Sequence, residues 1–159
     1  MRKLELLAPA KNLECGKAAI DHGADAVYIG ASKFGARASA GNSLDDIREL
    51  CLYAHQFGAK VYVTINTIVY EDELEDTRTL LRALTEMRVD ALLVQDMAVL
   101  DLLPKDMKPL PALHASTQTD NRTAEKVAWL HGLGFERIVL ARELSLAEIK
   151  TIHQTVPDV

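Results

Sequence analysis

HGADAVYIG, residues 22–30, decides the fold, because the chain repeats its plan three more times. FGAKVYVTI (57–65), MRVDALLVQ (87–95) and LGFERIVLA (133–141) each read as a helix end, a short link and a run rich in Val, Ile, Leu or Tyr. Gly23, Gly58 and Gly134 fit the left-handed residue that closes a helix, a conformation that costs glycine little because it has no Cβ. The apolar runs do not alternate strictly with polar residues, which suits strands covered on both faces, as in a parallel sheet.

Two further runs take the same role. LELLAPA (4–10) opens the chain as a strand ended by Pro9, and LPALHAS (110–116) lies between the third and fourth repeats. The intervening segments carry helical signals. Ser43 and Asp46, and again Ser145 and Glu148, have capping-box spacing. Leu44, Ile47, Leu50, Cys51 and Ala54 fall on one face; Leu74, Thr77, Leu81 and Leu84 on another; Ala124, Val127, Ala128 and His131 on a third. The pattern predicts an α/β fold, a partial TIM-type (β/α) barrel of about six βα units with parallel strands. The alternative is an open flavodoxin-like parallel sheet. A dinucleotide-binding domain is disfavoured, since APAKNLECG follows the first strand where GxGxxG would stand.

A complete barrel takes ~250 residues. The 159 residues therefore read as a single domain, 1–159, forming the N-terminal part of a barrel whose C-terminal remainder is absent. Interrupting a barrel leaves two strand edges unpaired, so self-association, or pairing with the missing C-terminal part, is expected there. A net charge of −5 gives no basic field for nucleic-acid phosphates. Cys15 and Cys51 form no CxxC pair and read as packing cysteines. MRKLELLAPA is too short and too acidic an apolar run for a secretory signal, and no stretch approaches a membrane span. A cytoplasmic protein without a membrane partner or a metal site of its own is the expectation.

In βα folds, ligands gather at the C-terminal edge of the strands. Polar residues collect there, whereas the opposite edge reads as mostly glycine and charged helix ends. The candidate substrate-binding residues are Arg37, Asn66, Gln95, Ser116, Gln118 and Arg142; the candidate catalytic ones are Asp96, His114 and Glu143. Arg37 or Arg142 would hold an anionic group, Asp96, His114 or Glu143 would handle a proton, and the amides would orient substrate. Strand parity turns Tyr62, Thr64 and Asn66 inward and puts His114 and Ser116 on one face. Plainer readings stand beside these: His114 as an interior histidine, Asp96 and Asp120 or Asn121 as helix caps, and Arg142 with Glu143 as an ion pair. His114 and Ser116 sit ~6.6 Å apart along a strand, too far for a base and its nucleophile. GxSxG and HExxH are both missing.

Several motifs, in order, resemble the collagenase-like peptidase family U32: ELLAPAKNLECGKAAIDHGADAVYIG, FGARASAGN, AHQFGAKVYVTIN, DALLVQD, HASTQ and RIVLARELSLAEI. The likeness runs from about Leu4 to Ile149. It implies an N-terminal barrel segment of a hydrolase, a protease of unknown mechanism acting on peptides. The alternatives are a portion of an iron–sulfur enzyme hydroxylating RNA bases or quinone precursors, or a non-catalytic interaction fragment. The family's cluster cysteines would lie in the absent C-terminal part, with no cofactor in this segment. The full-length protein would then be an enzyme and the isolated fragment inactive.

Overall fold

The computed structural model describes residues 4–31 and 41–159. Six strands, β1 (Leu7–Ala10), β2 (Ala26–Gly30), β3 (Lys60–Ile65), β4 (Ala91–Val94), β5 (Ala112–Ala115) and β6 (Phe135–Ile138), form one sheet. Their order is sequential and every pairing is parallel. A flavodoxin-like sheet would place β1 inside the order, so that alternative is excluded. Six helices connect and follow the strands: α1 (Leu13–Asp21), α2 (Leu44–Gln56), α3 (Leu74–Glu86), α4 (Ala98–Leu102), α5 (Ala124–Gly132) and α6 (Leu146–Thr155). The architecture is a run of barrel-type βα units in an open sheet; among the described residues no ladder joins β6 to β1.

Local chemistry explains where the helices begin and end. Ser43 and Ser145 close capping boxes with Asp46 and Glu148, satisfying amides that the first helical turn leaves without partners. Gly23, Gly58 and Gly134 take φ of 95°, 70° and 97°. In the unit lacking glycine, Arg88 takes that position at φ 59°.

The strands bury their outward residues beneath the helices. Val27, Ile29, Val61, Val63, Ile65, Leu92 and Val94 meet Ile47, Leu50, Leu81, Leu84 and Leu130 in one cluster, all of them fully buried. Each Leu or Ile so buried contributes about 2 kcal/mol relative to an exposed one. Gly16 lets α1 lie close to α2, since a Cβ there would come within 2.8 Å of Leu50 Cδ1. The inward face holds a much smaller cluster of Ala26, Tyr62 and Ala91 with Tyr28, Leu93 and Ala112 packed against it.

Three expectations change. On α2 Leu44 is exposed, leaving Ile47, Leu50, Cys51 and Ala54 as the buried face. Pro9 does not end the first strand but lies inside it, which an edge strand tolerates because one side of its backbone needs no ladder donor. On α5 the buried face is Val127 and Leu130, while Ala128 and His131 are exposed. Among the described residues no helix is long and apolar enough to cross a membrane.

Candidate functional site

At the C-terminal end of the sheet, register fixes the site. Ile65 pairs with Val94 and Val94 with Ala115, so the next residues, Asn66, Gln95 and Ser116, stand level with one another. The Gln95 amide donates to the Ile65 carbonyl at 3.3 Å and the Ser116 amide to the Val94 carbonyl at 2.8 Å, which extends the ladder by one step. All three continue the inward parity of Tyr62 and Ala91. Asn66 and Gln95 are half-buried and Ser116 is buried.

Beside this row, three side chains stitch neighbouring strand ends together in pairs. Asn42, 5% exposed, donates through Nδ2 to the carbonyls of Lys11, just past β1, and Gly30, at the end of β2. Asp96 accepts from the Val69 amide (3.0 Å) in the loop after β3 and from the Ala98 amide (2.9 Å) at the start of α4. Asn121, fully buried, donates to the carbonyls of Ser116, past β5, and Val139, past β6, both at 2.9 Å, while its Oδ1 accepts from the Thr119 hydroxyl. Asn121 is therefore a clasp and not the cap of α5, which is Thr123.

The remaining candidates spread out. Ser116 Oγ accepts from the Gln118 amide and caps the single turn Thr117–Thr119, which leaves the Gln118 side chain exposed. Arg142 and Glu143 are both exposed in the turn after β6, and Glu143 lies 3.9 Å from Arg122, which also binds Asp120. Arg37 lies outside the described residues.

His114 faces a different place. It pairs in register with Leu93 and Arg137, one step below the rim, and its ring meets the Tyr62 ring edge-on at 4.8 Å between centroids. It lines a cavity of about 180 Å³ at the N-terminal ends of the strands, with Lys60, Asp90, Ala112, Glu136 and Arg137 among its neighbours. Burial, joined by the positive charge of Arg137 and Lys60 and opposed by Glu5, holds the His114 pKa down at about 4. The imidazole is neutral at neutral pH. Glu5 accepts from Arg137 (2.5 Å) and from the Tyr62 hydroxyl (2.8 Å), so side chains from opposite edges of the sheet meet here. The hydrogen bond from Arg137 holds Glu5 below the usual carboxylate range; burial, with the bond to Glu5, pushes Tyr62 up to about 12.

Sequence reading missed Arg137 and Glu5. A bulge between β5 and β6 hides the first: Leu113 pairs with Phe135, but His114 pairs with Arg137, so Glu136 is the extra residue. Simple alternation would have turned Glu136 inward. The polar edge expected only at the strand C-termini thus has a counterpart at the opposite end.

Cys15 and Cys51 do not fit as ligands of an iron–sulfur cluster. Cys15 is exposed on α1, and Cys51 is buried on α2, where burial pushes its thiol up to about 12. Among the described residues no group of three or more His, Cys, Asp or Glu side chains could hold a metal ion.

Known proteins resemble this geometry and sequence. A solved U32 peptidase superposes on 98% of the chain and 67% of its own, with a TM-score of 0.74 at 14% identity, which shows a shared fold. The 23S rRNA 5-hydroxycytidine C2501 synthase of Escherichia coli is 55% identical over 152 residues, covering 96% of this chain and 23% of that protein. The tRNA hydroxylation protein P1 of Bacillus subtilis is 36% identical over 156 residues, covering 98% of this chain and 37% of that protein. The chain therefore spans well under half the length of these two relatives. Peptidase family U32 matches residues 11–159, and the chain belongs to that family.

Proposed function

We propose that this chain is part of an enzyme that hydroxylates an RNA base, its level row of Asn66, Gln95 and Ser116 facing the base. The observation that carries the reading is the 55% identity to the 23S rRNA 5-hydroxycytidine C2501 synthase across nearly the whole chain. The rim chemistry agrees. Two carboxamides and a hydroxyl offer donors and acceptors to the edge of a base taken out of its stack. A net charge of −5 suits this stretch to reading a base and not to gripping phosphates. Inserting oxygen into a base is an oxidation that ordinary side chains do not perform, so the oxidising group is supplied from elsewhere in the longer enzyme. An iron–sulfur cluster on other cysteines is the cofactor class that the family resemblance implies. The edges of β1 and β6, which pair with no further strand among the described residues, are the surfaces on which the rest of such an enzyme, or a second copy, would pair.

Deleting the gene and digesting total rRNA and tRNA to nucleosides tests the reading. Mass spectrometry should show the loss of one nucleoside heavier than its parent by a single oxygen. The wild-type gene should restore it, and a gene carrying Asn66→Ala with Gln95→Ala should not. An unchanged nucleoside profile, with gelatin cleaved by the purified native-length protein, would establish the peptidase reading of the family name instead.

A further inference from the structure

We propose that the cavity between the ends of α2 and α3 and the approach to β5 is a second binding site, which takes the base of a guanosine. It is separate from the Asn66–Gln95–Ser116 row and does not depend on the RNA-hydroxylation reading.

The first support is a strained residue in the cavity wall. Four repeats close a helix with a left-handed residue; three of them use glycine and the fourth uses Arg88, at φ 59°. Asp120 is the other non-glycine residue with positive φ among the described residues, and aspartate tolerates that region far better than arginine. The Arg88 guanidinium makes no ion pair or hydrogen bond among the described residues. It lines a cavity of about 410 Å³ with His55, Asp90, Pro109, Leu110 and Pro111. Backbone strain of this kind gathers where a side chain is held for a ligand.

The second support is the pattern of donors and acceptors. Arg88 and Asp90 are the charged residues of the wall, and they do not pair with each other. An ion of either sign would therefore meet a like charge, so the wall suits a neutral ligand with donors and acceptors of its own. Asp90 Oδ2 is committed to the Val61 amide at 2.8 Å and to His55 Nε2 at 2.9 Å, which leaves Oδ1 open. A carboxylate only accepts, so His55 Nε2 carries the proton and Nδ1 of the neutral ring is a second acceptor. Guanine matches both sides. Its O6 and N7 lie together as acceptors for a guanidinium fork, and its N1–H and N2–H₂ are donors for Asp90 Oδ1 and His55 Nδ1. Adenine sets an amino group where the guanidinium needs an acceptor, and a pyrimidine lacks the O6–N7 pair. Pro109, Leu110 and Pro111 supply the apolar wall for the ring.

Calorimetric titration of the native-length protein with guanosine, adenosine and cytidine tests the site, at about pH 8 where histidine is neutral. Guanosine should bind and the other two should not. Arg88→Gly installs the residue of the other three repeats, so its Tm should equal or exceed that of the wild type. The same variant should bind guanosine about tenfold more weakly or worse. Asp90→Asn keeps an acceptor for the Val61 amide and turns an NH₂ towards the cavity. It should lose guanosine and gain xanthosine, which has a carbonyl where guanosine has its amino group. In wild-type protein labelled with ¹⁵N-histidine, the ring resonances of His55 should move with guanosine alone. A single-stranded RNA that displaces the nucleoside through its one guanosine makes RNA the source of the base, and failure to displace it makes the source a free nucleoside; either upholds the site. Static His55 resonances overturn it. So do equal affinities for the three nucleosides, or guanosine binding that survives unchanged in Arg88→Gly.

Discussion

At the C-terminal end of the sheet, Asn42, Asp96 and Asn121 each bind backbone groups at or beyond the ends of two neighbouring strands, β1 with β2, β3 with β4, and β5 with β6. At the N-terminal end, Lys60, His114 and Arg137 line an open cavity, Arg137 bound to Glu5 and lying over the Tyr62 ring, Lys60 and His114 without a side-chain hydrogen bond among the described residues. The contrast separates two uses of polar residues. Where loops must be held still to present a row such as Asn66, Gln95 and Ser116, side chains are consumed in fixing the backbone. Where the strands themselves hold the side chains, some polar groups stay open to the cavity. Richness in polar residues does not distinguish the two ends; acceptors are consumed at both, since Asp25 takes the Leu6 amide and Asp90 the Val61 amide, and the difference lies in the side chains of Lys60 and His114, which face the N-terminal cavity without a hydrogen bond among the described residues.

The sharpest way to break this contrast is to remove a clasp. Asn121→Leu should destabilise the protein by about 4 kcal/mol, because the carbonyls of Ser116 and Val139 would lose their buried donor. Urea denaturation measures it. A loss under about 0.5 kcal/mol, within the range of ordinary surface substitutions, would mean that the clasp holds nothing. Asp96→Ala should cost somewhat less, about 2–3 kcal/mol, since a half-buried carboxylate accepting two amides is replaced in part by water. Its local signature is faster hydrogen exchange at the Val69 and Ala98 amides with little change in β4. Uniformly faster exchange would show that Asp96 supports the whole fold and not one pair of loops.

A third test sharpens the N-terminal side. The folded-state pKa of His114, about 4, lies below the ordinary histidine value of 6.5, so between those values the unfolded chain binds more protons than the folded one. Stability must then fall as pH falls through that window. From pH 7 to pH 5 the His114 contribution is a loss of about 2 kcal/mol. His114→Phe keeps a ring against Tyr62 and cannot titrate. The difference between wild-type and variant stability, followed across pH, should carry this slope. Parallel curves would show that the imidazole is far better solvated than its burial implies.

Much of this was legible in the chain because it is local. The closing glycines 23, 58 and 134, the two capping boxes and the apolar runs each need only a few neighbouring residues to be read, and together they fix six βα units. Parity placed Asn66 and Ser116 on the inner face for the same reason. What stayed hidden depends on distance or on a break in period. Asn42 and Asn121 look like ordinary loop or cap residues until the carbonyls they reach, 12 and 18 residues away, are brought beside them. The α5 stripe could be drawn through Ala128 and His131 because a helix with few large apolar residues has no sharply defined face; packing chose Val127 and Leu130. Arg137 required a one-residue bulge that no alternation pattern reveals. Its partner Glu5 lies 132 residues away.

That long-range pair gives the smallest expected effect and the finest test of the N-terminal arrangement. Glu5→Gln keeps an acceptor for the Tyr62 hydroxyl but removes the charge facing Arg137. The Arg137 side chain is 42% exposed, so solvent screens the lost attraction and the cost should be about 1 kcal/mol or less, shrinking further in high salt. The more telling readout is Tyr62. Its hydroxyl pKa, about 12, is raised first by burial and then by Glu5, both through its hydrogen bond and through its charge. Glu5→Gln should therefore lower the alkaline midpoint of one tyrosine, seen as tyrosinate absorbance, without returning it to the ordinary value. A midpoint that does not move would leave burial as the sole cause. It would also detach Glu5 from Tyr62 and reduce the link between the two sheet edges to a single solvent-screened ion pair.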